Sequence, residues 1–179
     1  MTAGVADASS DSRDVPSGVI GTKLLPPSPR FEEVPRLTLL AHLQAGSARK
    51  LTLIGAPAGY GKSTLLNQWR RTEEPELPFA WVSLDKQDND PARLWKHIVE
   101  SLHRIARKER FGADALAGLG MVATNLVETA LPALINDLAE LSHRLVLVLD
   151  DYYCISNVAC HETVGFLIEH LPDTTRLVI

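Results

Sequence analysis

Leu51-Thr52-Leu53-Ile54-Gly55-Ala56-Pro57-Ala58-Gly59-Tyr60-Gly61-Lys62-Ser63-Thr64 decides the reading of this chain. A short β-prone run leads into a turn rich in glycine and proline, and Lys62 to Arg71 follows with Leu65, Leu66 and Trp69 at helical spacing. From Ala56 to Ser63 the residues match the phosphate-loop pattern small-x-x-x-x-Gly-Lys-Ser/Thr, with alanine in the first position. The residue types suit anion binding. Glycines let backbone N–H groups turn into a concavity, and the positive end of the following helix dipole points at the same place. Ala58, Gly59, Tyr60, Gly61 and Lys62 are therefore expected to cradle phosphates, with Lys62 reaching the β- and γ-phosphates. The Ser63 hydroxyl suits Mg²⁺, and Thr64 is placed for the α-phosphate.

Downstream, Leu145-Val146-Leu147-Val148-Leu149-Asp150-Asp151 reads as a strand buried on both faces of a parallel sheet. Carboxylates at the C-terminal end of such a strand stand where open α/β sheets bind ligands. The pair suits a division of labour, with Asp150 on the Mg²⁺ hydration shell and Asp151 orienting or deprotonating an attacking water.

Between and around these motifs, strands and helices alternate. Leu37 to Leu43 predicts a short helix ending near Gly46, and Phe79 to Leu84 a second strand. Asp90-Pro91 reads as a cap with proline at the first helical position, followed by Leu94, Ile98, Leu102 and Ile105 at helical spacing. A further helix is expected from about Met121 to Leu141, with Pro132 kinking or restarting it. The stretch RKERFGADALAGLG before it is the only candidate lid, and its glycine-rich half reads as a plain connection. His161 to Leu171 predicts a last helix, and Leu177-Val178-Ile179 one more strand. The alternation specifies an α/β layer fold around a parallel sheet.

The 179 residues carry 45% hydrophobic and 22% charged residues, the balance of an ordinary globular domain. A net charge of -4 argues against a free-standing nucleic-acid binder. No apolar run reaches the roughly 18 residues that span a membrane, and residues 1–21 lack the pattern of a signal peptide. They read as a disordered leader on a cytoplasmic protein. Cys154 and Cys160 are wrongly spaced for a zinc or redox pair. The six histidines show no ligand-pair spacing and read as ordinary surface or helix residues, while Trp69, Trp81 and Trp95 read as core. Arg104, Arg107, Lys108 and Arg110 read as a solvated helix end.

Val34-Pro35-Arg36, LTLIGAPAGYGKSTLLNQW, WVSLDKQDNDPARLW, LVLVLDDYY and HETVGFLIEHLP together resemble the nucleotide-binding domain of MalT-like, large LuxR-type transcription regulators. These are STAND-group P-loop NTPases, and the resemblance runs from about Thr22 to Ile179. Ser83-Leu84-Asp85 followed by Asp88-Asn89-Asp90-Pro91 narrows it beyond the superfamily.

The resemblance implies an AAA+/STAND-like three-layer α/β sandwich, with the strand ending at Ile179 inserted between the phosphate-loop strand and the Asp150 strand. It implies an ATP- and Mg²⁺-dependent switch, with an inducer, self-association and DNA engaged by regions outside this chain, so that the chain alone binds no DNA. Val34 and Arg36 would line the base and ribose side. ATPase turnover would be weak or absent, because sensor residues and partner surfaces would be missing, and the fifth strand would lie beyond Ile179, leaving Leu51–Ile54 as an exposed apolar edge. A P-loop kinase acting on a small metabolite, or the same module in another large signalling protein, stands as the alternative.

Overall fold

The computed structural model describes residues 18–28, 33–46, 49–57, 59–106, 108–120 and 125–179. Its strands are β1 (Leu51–Thr52), β2 (Phe79–Ser83), β3 (Leu145–Asp150) and β4 (Thr175–Val178), all parallel, in the order β1-β4-β3-β2. The last strand therefore inserts between β1 and β3, as the sequence resemblance requires.

The alternation of LVLVL in β3 builds two cores. Leu145, Leu147 and Leu149 face one cluster and Val146 and Val148 the other, because successive strand side chains point to opposite faces. On the valine side lie α1 (Leu37–Ala45) and α2 (Lys62–Glu73), which contribute Leu40, Leu43, Leu65, Leu66 and Trp69. Trp69 meets Phe79 edge-on at 5.0 Å. On the leucine side lie α3 (Pro91–Ala106), α4 (Ala113–Leu119), α5 (Ala130–Ala139) and α6 (Val158–His170). The result is the expected three-layer α/β sandwich of a P-loop NTPase-like fold. All three tryptophans are buried in it.

Caps fix several helix starts. The Asp90 carboxylate accepts the Arg93 N–H at the head of α3, with Pro91 in the first position, and Asn157 accepts the Ala159 N–H at the head of α6. Arg104 pairs with Glu100, and Lys108 with Glu140 and Asp137, so these cations cover the helix end; Arg107 lies outside the described residues.

Two expectations need correction. The helix anticipated from about Met121 starts only at Ala130, after a turn in which the Asn125 carbonyl and side chain accept from Thr129, Glu128 and Val127. Pro132 lies in the first helical turn, where an amide has no intrahelical acceptor, so it helps start α5 and does not kink it. Met121 itself lies outside the described residues.

The supposed connection within 107–120 is a packed helix, α4, with Ala115, Gly118 and Leu119 buried and Phe111 buried just before it. The glycines that suggested a loop instead permit close packing. Gly112 has φ +76, and a Cβ there would sit 2.5 Å from Val99 Cγ1. Gly112→Ala combines left-handed strain with a clash against α3, so a loss of about 1–3 kcal/mol is expected. Chemical denaturation with an unchanged midpoint would refute that cost.

Upstream, residues 1–17 lie outside the described residues, but the packed chain begins before Thr22. Val19 packs against the core, Gly21–Leu24 forms a 3-10 turn, and Leu24 is buried beside β2. At the other side of the sheet, β1 stands at the edge formed by the described residues, with Leu53 68% exposed just after it. Leu51 and Ile54 are partly buried, so the exposed apolar edge is narrower than the sequence suggested. Leu53→Lys should reduce self-association of the chain at high concentration. A parent chain that elutes as a stable monomer there would sink this expectation.

Candidate functional site

The C-terminal ends of the strands bring the phosphate-loop and carboxylate motifs together. Gly61 adopts φ +76, which breaks the chain direction and lets α2 begin at Lys62 with no side chain capping its first amides. Gly59 is also left-handed, at φ +82, with open space where a Cβ would stand. Open amides at a helix start, facing a groove, form an anion site.

A polar groove of about 460 Å³ is lined by Gly59, Gly61, Lys62, Ser63 and Thr64 on one side and by Asp150 and Asp151 on the other. Ser63 Oγ donates to Asp150 Oδ1 at 3.0 Å, and the Asp151 amide donates to the same oxygen at 3.1 Å. Hydroxyl and carboxylate oxygens in contact are the hard donor set that suits Mg²⁺. Burial pushes the Asp150 carboxyl above the usual range, while the Ser63 hydrogen bond opposes that rise. Lys62 Nζ donates to the Ala56 and Pro57 carbonyls at 2.7 and 3.3 Å, so it would exchange these bonds for a phosphate oxygen. The residues present fit both groups.

The other expected site residues divide. Arg36 stands beside the loop, with Nη2 3.0 Å from where a Gly61 Cβ would be. Val34 does not line the groove; its side chain is 78% exposed and its carbonyl accepts from Gln68 Nε2, while neighbouring Glu33 reaches the lining. Tyr60 is exposed outside the lining, and Ala58 lies outside the described residues.

Sequence reasoning missed Pro27, Ser28, Glu33, Asn67, Ser83 and Tyr153 in the lining. Ser83 ends β2 directly opposite Asp150, which only the β2–β3 register reveals. Asn67 bonds the Pro27 carbonyl at 2.8 Å and fastens the Pro27–Ser28 wall of the groove. Tyr153 follows the aspartates, its ring centroid 5.8 Å from Lys62 Nζ. It also lines an apolar cavity of about 510 Å³ shared with Lys62, Leu66 and Leu149.

His97 corrects the view of the histidines as ordinary. It is fully buried, with Nδ1 3.0 Å from the equally buried Asp88 Oδ1. Its Nε2 accepts the Ile20 amide, which places the ring proton on Nδ1, toward Asp88. Lys23 also bonds Asp88, and Arg93 Nε lies 3.6 Å away. Burial works to raise the Asp88 pKa, but the adjacent His97 imidazole and hydrogen bonds from Lys23 and the Asp85 amide outweigh it and hold the carboxyl at about 2. A helical position and an acidic turn gave no sequence signal for this pairing.

Sheet order, loop and acidic strand end together define a P-loop NTPase-like domain. No protein-family model matches the chain. It is, however, 34% identical over 161 residues to the HTH-type transcriptional regulator MalT of Cronobacter sakazakii. It is also 32% identical over 161 residues to MalT of Serratia proteamaculans and 30% over 160 residues to MalT of Vibrio campbellii. These alignments span 89–90% of this chain and 17% of each relative. Among the described residues no helix is long and apolar enough to cross a membrane.

Proposed function

We propose that the chain is the ATP- and Mg²⁺-binding switch module of a MalT-like transcription regulator working in the cytoplasm. The observation that carries this reading is the 3.0 Å contact between Ser63 and Asp150 at the uncapped start of α2. Lys62, Gly59, Gly61 and Thr64 would hold the phosphates, Ser63 and Asp150 the metal, and Asp151 an attacking water. Bound Mg²⁺ would neutralise phosphate charge. The chain's own residues supply direction: the Asp150 carboxylate orients the Ser63 hydroxyl, and Arg36 presses a second cation against the loop.

Inducer recognition, self-association and DNA binding belong, on this reading, to the rest of the regulator, of which such a chain is a minor part. The module alone binds no DNA and turns ATP over slowly. The test is equilibrium titration with a fluorescent ATP analogue, with and without Mg²⁺. Saturable binding that strengthens with Mg²⁺ is expected, and absence of binding at millimolar nucleotide would overturn the reading.

A further inference from the structure

We propose that Asn89 is the positioning residue of the carboxylate loop, holding residues 151–157 in the shape that sets Asp150 and Asp151 against the phosphate loop. This rests on the metal-site reading above.

The Asn89 side chain grips that loop with both of its ends. Oδ1 accepts the backbone amides of Ser156 at 2.6 Å and Asn157 at 2.9 Å, while Nδ2 donates to the Cys154 carbonyl at 2.9 Å and to Lys86 in its own turn at 3.0 Å. Its backbone carbonyl takes the Asn157 side-chain amide at 2.7 Å. An amide is required because only a group with both donor and acceptor can satisfy amides and carbonyls of one loop together.

From Asn89 the bonds run on without a break to the phosphate loop. Cys154 receives the Asn89 donor at its carbonyl and gives its own N–H to the Asp151 carbonyl at 3.0 Å. The Asp151 amide bonds Asp150 Oδ1, which accepts from Ser63. Asp151 sits at φ 60, in the left-handed region that few residues other than glycine adopt, aspartate and asparagine more readily than most.

The turn bearing Asn89 is itself rigid. Asp85 and Asp88 cap it reciprocally, Lys23 bonds Asp88, and Asp90 caps α3. The Asp88-Asn89-Asp90 stretch thus fastens three things at once: the leading segment, the carboxylate loop and the start of α3.

The test compares the parent chain with Asn89→Ala and Asn89→Asp by amide hydrogen exchange, by Mg²⁺ half-saturation of ATP binding and by metal-free ATP binding. Asn89→Ala should speed exchange at residues 151–157, leave β3 and α2 protected, and raise the Mg²⁺ half-saturation about tenfold. Metal-free ATP binding should stay within about twofold, since Lys62 and the loop amides do not depend on the carboxylates. Asn89→Asp keeps the acceptor but sets a carboxylate oxygen against the Cys154 and Lys86 carbonyls, so exchange should quicken mainly toward Cys154 while the Ser156 and Asn157 amides stay protected. It also serves if the alanine variant fails to fold. Unchanged exchange at residues 151–154, or equal loss of metal-dependent and metal-free binding, would overturn the proposal. If the parent binds no nucleotide, the functional reading falls, and faster exchange at 151–154 still upholds the clamp while unchanged exchange removes it.

Discussion

Replacing Lys62 by alanine should weaken ATP binding by about ten- to hundredfold, the loss expected when a charged hydrogen bond worth roughly 1.5–3 kcal/mol is removed. The ammonium lines the groove and, among the described residues, hydrogen-bonds the loop carbonyls of Ala56 and Pro57, so a phosphate oxygen can replace those partners. Those same bonds brace the loop. A far-ultraviolet spectrum and melting curve must therefore accompany the binding titration, to separate a lost contact from a loosened loop. Lys62→Arg keeps the charge but not the compact ammonium, and should recover part of the affinity. A folded Lys62→Ala chain that binds ATP as tightly as the parent would remove Lys62 from the site.

Asp88→Ala should be strongly destabilising, costing about 3 kcal/mol, because it strips the buried His97 and nearby Arg93 of their carboxylate and leaves Lys23 only Asp85, at 3.0 Å. The pH dependence follows from the same carboxyl. Its folded pKa, about 2, lies below the ordinary 3.8, so its contribution is fully present above the unfolded value and is lost as pH falls through the folded one. That difference amounts to roughly 2 kcal/mol across the acid limb between about pH 5 and pH 2. Asp88→Asn, which cannot ionise, should show a flatter acid limb. Urea-denaturation curves measured down that range decide it: parallel limbs for parent and variant would dismiss Asp88 as the titrating group.

Much of the fold was readable because its signals are local. LVLVL followed by two aspartates announces a buried parallel strand with ligand-side carboxylates, and Gly59-Tyr60-Gly61-Lys62-Ser63 announces a loop turning into a helix start. Asp90-Pro91 marked the start of α3 for the same reason. The misreadings fell where a local signal has two physical outcomes. Glycine serves a connection as readily as a tight helix contact, and only the approach of Val99 to Gly112 and of Ala130 to Gly118 shows which. Proline stops a helix interior yet suits a first turn, and Pro132 proved to be in the first turn.

The site divides along the same line. Lys62, Ser63, Thr64, Asp150 and Asp151 were nameable from sequence because each belongs to a short motif whose spacing encodes its chemistry. Ser83, Asn67 and Tyr153 were not, since their place in the groove depends on strand register and on how distant segments cross.

By itself, then, the sequence determined the alternating layers and the residues of the phosphate and carboxylate motifs, because backbone propensity and side-chain periodicity act over a few residues. Only the tertiary structure decided that Asp88 would hold Lys23 and His97 in a buried cluster, and that Asn89 would bind a loop 65 to 68 residues away. Pairings of that kind arise when parallel strands align their ends and bring together polar groups remote in sequence, fully buried at Asp88 and half-buried at Asn89. There each donor must find an acceptor, and no local pattern says which.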